Sequence, residues 1–144
     1  MASVHDVAAY ILEKQGRMTA MKLQKLAYYS QAWNLVWDER PLYEEGIQAW
    51  ANGPVIYALY DKHRGSFQVS DWQWGNSNNL DGSEKETIDA VLDAYGAYTA
   101  HELSEMTHRE DPWRDARRNL PEGARSAAHI TQASLHEYYH GLSN

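Results

Sequence analysis

Residues 21–37 read MKLQKLAYYSQAWNLVW and predict the central helix of the fold. Thr19 is a suitable N-cap for a helix that reaches about Trp37. One face of this helix carries apolar and small side chains, and Tyr28 and Leu35 lie seven residues apart on another face. A helix that is apolar nearly all round is usually buried, so we expect the other elements to pack around this one.

Capping signals and apolar spacing predict further helices on both sides of the central helix. The first should run from about Ser3 to Gln15, and Ser83 with Glu86 forms a capping-box pattern that should open a fourth helix. Later helix starts are indicated by the N-cap candidates Thr99, Asp111 and Thr131.

The segment after the central helix predicts a small amount of strand structure. Residues 42–51 follow a helix-breaking proline and alternate apolar side chains with polar or aromatic ones. A turn comes next, and Pro54 is placed to open a third helix. Residues 67–74 contain two more short strand candidates. We therefore expect a small antiparallel sheet made from the 42–51 and 67–74 regions.

Together these elements predict an α+β fold that is mainly α-helical. About five to seven helices should surround the central buried helix at about residues 19–37, with the small antiparallel β-sheet beside them. A chain of 144 residues is long enough to bury one sizeable core. We expect residues 1–144 to form a single compact domain.

Charge and composition exclude several classes of protein. The net charge of -7 disfavours a duplex DNA binder, which needs clustered Lys and Arg to neutralise phosphates. The chain has no cysteine, so neither a disulfide framework nor a thiolate metal site can form. No apolar run approaches the roughly 20 residues of a membrane span, and the N-terminal sequence has no secretory signal pattern. We expect a cytoplasmic protein without a membrane partner.

The aromatic composition favours a binding module. Six Trp and ten Tyr stand against one Phe. Trp and Tyr combine an apolar body with a polar group and are enriched at the energetic centres of protein interfaces. The alternative is that most of them are core residues whose polar groups reach the surface.

The sequence contains no convincing active site. His101 and His108 are seven residues apart, whereas a zinc-binding helix needs histidines four apart. His136 and His140 have that spacing, but near the end of a helix they more often complement its dipole. We expect no catalytic residue, no bound metal and no cofactor, and hence no enzyme.

Several short motifs resemble the Panacea domain family, which includes SocA-like and GepA-like antitoxins. The family's helix motif is similar to MKLQKL at residues 21–26, followed by the tyrosine pair at 28–29. A Gly-Pro-Val turn stands at 53–55, with Thr-His at 107–108 and Pro-Trp at 112–113. The resemblance covers about residues 3–140.

The resemblance implies the antitoxin of a type II toxin–antitoxin system, bacterial or from a prophage and connected with phage defence. Such a protein neutralises a cognate toxin, usually encoded beside it, by direct protein–protein contact. One branch of the family instead delivers its toxin to the ClpXP protease, so a protease adaptor is the first alternative. A small metal-dependent hydrolase is the second. Family members that bind DNA carry an added helix-turn-helix domain, for which this chain has no room, so no direct DNA binding is expected.

A toxin-binding surface of this kind needs a few aromatic anchors. The candidates are residues that fall off the predicted inward faces or lie beside the polar loop at 75–83. They are Tyr28, Tyr57, Trp72 and Trp74.

Overall fold

The structure is a computed structural model that describes residues 2–118 and 120–143 of the chain. The described residues form seven α-helices, which are α1 (Val4–Gln15), α2 (Ala20–Asp38), α3 (Tyr57–His63), α4 (Gly82–Tyr95), α5 (Ala100–His108), α6 (Asp111–Arg117) and α7 (Gln132–Leu142). They also form five short strands, which are β1 (Met18–Thr19), β2 (Ile47–Trp50), β3 (Gly53–Ile56), β4 (Gln68–Val69) and β5 (His129–Ile130).

Helix α2 is the centre of the fold, as its sequence predicts. Thr19 is its N-cap, and the side chain of this residue accepts a hydrogen bond from the Lys22 backbone N–H at 3.1 Å. Helices α1, α4, α5 and α7 all pack against α2. Most of its side chains are buried, including the polar Gln24 and the charged Lys25. The α+β, mainly α-helical fold class is confirmed, and so is the buried position of this helix.

The sheet arrangement differs from the prediction. Strand β2 pairs in antiparallel fashion with β3 on one side and with β5 on the other, whereas β4 pairs with β1. The prediction that the 42–51 and 67–74 regions share one sheet is therefore wrong. Residues 72–74 form no strand at all. The pairings of β1 with β4 and of β2 with β5 join distant parts of the chain, which local sequence patterns do not reveal.

Pro54 lies in β3 and does not open a helix, because α3 begins three residues later at Tyr57. Pro54 is paired with Ala49, at the edge of the three-stranded sheet. Proline has no backbone N–H, and it is tolerated at a sheet edge because that position needs no hydrogen bond to a neighbouring strand on its outer side. The same residue that favours the first turn of a helix is therefore equally suited to this position.

Side chains of α2 close the outer edge of β3. Gln24 acts like a short piece of strand: its Oε1 accepts from the Ile56 N–H at 2.8 Å, and its Nε2 donates to the Ile56 carbonyl at 3.2 Å. Lys25 Nζ donates to the Pro54 carbonyl at 3.2 Å. Buried backbone groups without partners are costly, and these two consecutive side chains satisfy those that face away from β2.

Gly53 makes room for the Lys25 side chain. A Cβ atom at position 53 would lie 2.7 Å from Lys25 Cε, and the backbone φ angle there is +126°. Both the space and the backbone conformation therefore require glycine.

Helix α6 satisfies backbone groups on the other side of the hairpin. Trp113 Nε1 donates to the Trp50 carbonyl at 2.8 Å, and Arg117 donates to the Ala49 carbonyl at 3.0 Å. The indole of Trp113 also stacks on the His108 ring, with ring centres 4.1 Å apart. The hairpin of β2 and β3 is thus held by side chains from α2 and α6.

Two further helix starts, besides that of α3, differ from those predicted. Helix α4 begins at Gly82 with Asp81 as N-cap, and the capping box is formed by Asp81 and Glu84, not by Ser83 and Glu86. Both pairs have the capping-box spacing, and the earlier pair is the one used. The capping box of Thr99 with Glu102 is confirmed at the start of α5.

Helix α6 is preceded by Glu110, so Asp111 is its first residue and not its N-cap. The Glu110 carboxylate is occupied elsewhere, since it accepts hydrogen bonds from the hydroxyls of Tyr29 at 2.7 Å and Tyr139 at 2.8 Å. Burial raises the pKa of Glu110, and these two donors act in the opposite direction.

The role of Gln24 predicts a large stability effect. Gln24→Leu keeps the apolar packing but leaves the Ile56 N–H and carbonyl unpaired, so the free energy of unfolding should fall by about 3 kcal/mol. Chemical denaturation followed by circular dichroism at pH 7 measures this. Gln132→Leu is the matched control, because Gln132 is exposed at the start of α7. Equal stability of the two variants would contradict the edge-closing role of Gln24.

Candidate functional site

A groove of about 910 Å³ lies beside the β2–β3 hairpin and α3. Alternation along β2 explains its position: Ile47 and Ala49 are buried in the core, whereas Gln48 and Trp50 are half-buried and line the groove. Val55 of β3, paired with Gln48, also lines it. The groove is therefore built on the face of the hairpin that the core does not use.

Four aromatic side chains line this groove. They are Trp50, Tyr57, Tyr60 and Phe67. Tyr57 is 43% exposed and Phe67 is 78% exposed, although both are large apolar groups. The ring centres of Trp50 and Tyr60 are 4.9 Å apart in an edge-to-face arrangement. Contacts of this kind hold the rings in defined positions.

His63 forms part of the groove lining and connects it to the hairpin. Its Nε2 lies 2.9 Å from Gln24 Nε2. Because Gln24 Oε1 accepts from the Ile56 N–H, Gln24 Nε2 must be the donor in this contact and His63 Nε2 the acceptor. Burial lowers the pKa of His63 from its ordinary value, which agrees with a neutral imidazole.

A second depression, of about 290 Å³, adjoins the groove and contains Trp74. His63 and Ser66 line both depressions. Trp74 is 43% exposed, and its ring lies edge-to-face against Trp72 with ring centres 5.0 Å apart. Lys62 Nζ lies 5.9 Å from the centre of the Trp74 ring. We call the groove together with Trp74 the aromatic face.

Two of the four predicted partner-binding residues lie on this face and two do not. Tyr57 lines the groove and Trp74 the second depression, both partly exposed. Tyr28 is fully buried, with its hydroxyl 3.1 Å from the Tyr139 hydroxyl. Trp72 is 5% exposed and donates from Nε1 to His5 Nδ1 at 3.1 Å. Tyr28 therefore does not lie off the inward faces, as the prediction assumed. Trp72 lines the same depression as Trp74 but offers almost no exposed surface there.

Sequence reasoning missed three aromatic residues of the groove. Trp50 occupies an outward position of the alternating strand, and this alternation in the sequence indicates that its side chain points away from the core. Phe67 is the only phenylalanine of the chain and stands among polar residues, which is unusual for a core residue. Tyr60, on α3, is half-buried in the groove wall.

Of the histidines considered as metal ligands, His136 and His140 stack with ring centres 5.4 Å apart, whereas His101 and His108 have separate partners. His101 lies 3.8 Å from Glu105, whereas His108 stacks on Trp113 and lies 3.5 Å from Glu122. Within residues 2–118 and 120–143, no group of three or more His, Asp or Glu side chains is arranged to hold a metal ion. No helix in the same part of the chain is long and apolar enough to cross a membrane.

The hairpin lies in a segment shared with a known family, together with Gln24, Lys25 and Trp113, which bond its backbone. The model described as antitoxin SocA-like, Panacea domain, matches residues 23–114. The chain belongs to the Panacea domain family. Searches of curated proteins and of solved structures gave no match. Membership supports an antitoxin role in general terms and a toxin as the kind of partner.

The motifs of the Panacea domain acquire a common physical role in this structure. Gln24 and Lys25 belong to the helix motif, and Gly53 and Pro54 belong to the turn they contact. Trp113, from the Pro-Trp motif, contacts the same hairpin from α6. All of these residues fall within the matched range. The motifs of this Panacea domain therefore build the support beneath the groove.

Lys25 is the most unusual ionisable group of this support. It is fully buried, and the hydrogen bond to the Pro54 carbonyl is not accompanied by any carboxylate contact in the described part of the chain. Burial lowers the pKa of the Lys25 ammonium to about 7. The unfolded chain should hold the same proton until about pH 10.4.

This difference predicts how stability depends on pH. Above pH 7 the unfolded chain binds more protons than the folded one at Lys25, so the free energy of unfolding rises with pH. Between pH 7 and 9 the wild-type protein should gain about 2 kcal/mol relative to Lys25→Met. Denaturant unfolding at the two pH values measures this gain in the free energy of unfolding. Lys14→Met, at an exposed position, should keep the wild-type dependence of the free energy of unfolding on pH. The same dependence in Lys25→Met would contradict the lowered pKa of Lys25.

Proposed function

We propose that this Panacea domain neutralises a cognate toxin by direct protein–protein contact through the aromatic face. The observation that carries the proposal is the partial exposure of Tyr57, Phe67 and Trp74 at two adjoining depressions. Exposing several large aromatic side chains to water is unfavourable in free energy. Clusters of such exposed side chains are therefore typical of interaction sites. The general antitoxin role of the family supplies the kind of partner.

The geometry suits anchoring better than catalysis. Protein interfaces depend on a few aromatic or arginine side chains that become fully buried on binding. Here the rings are braced by one another and by hydrogen bonds, for example from Trp50 Nε1 to Gln48 Oε1 at 2.7 Å. Rings that are already held in place lose little conformational freedom on binding, which favours affinity.

Other exposed aromatic residues are weaker candidates. Trp37 is 47% exposed and Tyr98 is 41% exposed, but neither lines the groove or its neighbouring depression. Trp37 instead stacks on Trp33, with ring centres 5.2 Å apart. Single exposed apolar side chains are common on protein surfaces. Trp37 and Tyr98 therefore serve as matched controls for Trp74 and Tyr57.

The proposal includes the extent and setting of the domain. The hydrophobic core includes Val4 of α1 and Tyr139 of α7, which lie outside the family match at 23–114. This supports one domain over the whole chain. We propose that it acts in the cytoplasm, without a catalytic step, on a toxin encoded by the adjacent gene.

Two measurements test this function. Expression of the adjacent gene alone should arrest growth, and coexpression of this chain should restore it. With purified proteins and no protease present, the antitoxin should bind the toxin and block its activity. Persistent toxin activity in the purified complex, together with a shortened toxin lifetime in cells, would instead indicate a protease adaptor.

The aromatic face is tested by paired substitutions. Tyr57→Ala and Trp74→Ala should each weaken toxin binding by roughly 30-fold, the effect expected for truncating a central anchor. Tyr98→Ala and Trp37→Ala remove side chains of the same kind and similar exposure, and should leave the affinity unchanged. Isothermal titration calorimetry measures all four. Equal affinity of the Tyr57 and Tyr98 variants would remove the groove from the proposed interface.

A further inference from the structure

The groove has a charge opposite to that of the chain as a whole. The chain contains 20 acidic and 13 basic residues. The groove lining nevertheless contains two arginines, Arg64 and Arg125, and neither an Asp nor a Glu among the described residues. Apolar rings next to an excess of positive charge are suited to a ligand that is both apolar and negatively charged.

Arg64 is held in position along the groove wall. It donates to the Tyr57 hydroxyl at 2.9 Å, and its guanidinium carbon lies 5.3 Å from the centre of the Tyr60 ring. Its ion pair with Asp61 is long, at 3.7 Å, and both side chains are about half exposed. An exposed pair of this kind contributes little. The remaining N–H groups of Arg64 are therefore available to a carboxylate.

Arg125 reaches the groove from a loop that is itself anchored. Arg117, which is 3% exposed, donates to the backbone carbonyls of Pro121 at 3.1 Å and Ala124 at 2.6 Å. It donates also to the Glu122 carbonyl at 3.2 Å. Because Arg117 fixes the residues just before it, Arg125 is presented to the groove from a defined segment.

We propose that the groove binds a segment of the toxin in which acidic side chains flank an aromatic or aliphatic anchor. The anchor packs among Trp50, Tyr57 and Phe67, and the carboxylates pair with Arg64 and Arg125. Arginine is suited to this role because its planar guanidinium bonds both oxygens of a carboxylate. This inference rests on the proposed function, since it describes the occupant of the same surface.

A peptide library tests the chemistry of the occupant without the toxin. A random twelve-residue phage-display library is selected on the immobilised wild-type protein, with elution by excess soluble protein. The recovered peptides should be enriched in Asp or Glu within a few residues of Trp, Phe or Leu. Recovery of neutral or basic peptides, or no enrichment over selection on Tyr57→Ala, would overturn the inference.

The strongest recovered peptide is then synthesised with a fluorophore and its affinity is measured by fluorescence anisotropy. The double variant Arg64→Gln and Arg125→Gln should bind it at least tenfold more weakly, and the wild-type affinity should fall as salt is raised. Arg17→Gln is the control, because Arg17 is exposed and lies outside the groove lining. An unchanged affinity in the double variant would overturn the role of the arginines.

A single-stranded thymidine oligonucleotide is the competing probe, because nucleic acid is also negatively charged and stacks on aromatic rings. It should not displace the peptide, and displacement at comparable concentration would overturn the assignment to an acidic peptide.

Thermal melting confirms that each variant is folded. If the selected peptides are not acidic but the toxin encoded by the adjacent gene is still neutralised, only the inference that the groove binds an acidic segment fails. If neutralisation fails, the proposed function itself is wrong.

Discussion

The rest of the structure depends on the closure of one β-hairpin by side chains instead of by further strands. At the outer edge of β3, Gln24 and Lys25 bond the backbone of Ile56 and Pro54. Trp113 does the same for the Trp50 carbonyl of β2. A small sheet within a helical protein has few strands to cover its edges, so buried backbone groups must find partners on helices. The central helix therefore supplies hydrogen bonds as well as apolar surface.

The same contacts connect the core to the proposed binding surface. Gln24 bonds the Ile56 backbone with both atoms of its amide, and its Nε2 also donates to His63 in the groove lining. Tyr57 and Tyr60 follow directly on α3, which begins where β3 ends. The position of the aromatic rings thus depends on how the hairpin is held. Rigid support of this kind is what a surface with preformed anchors requires.

Local pattern predicts the helices of this protein well and its sheet poorly. Helix α2 is recognisable because apolar residues cover almost its whole circumference, a property that resides in consecutive residues. That property also implies that Tyr28 is buried, as the structure shows. Pro54 was assigned to a helix because proline suits both a first helical turn and a sheet edge. The pairing of Pro54 with Ala49 and the Lys25 hydrogen bond to its carbonyl distinguish the two positions, and the preferences of proline alone do not show them.

The exchange rate of the Ile56 backbone N–H tests directly whether Gln24 closes the edge of β3. Its pairing to Gln24 places this amide on the side of β3 that faces away from β2. An edge amide without a partner exchanges with solvent quickly, whereas one held in a buried hydrogen bond exchanges only when the structure opens. Native-state hydrogen exchange followed by nuclear magnetic resonance measures this rate. We expect the Ile56 amide to be as strongly protected as the amides in the middle of α2. Exchange as fast as that of exposed loop amides would contradict it.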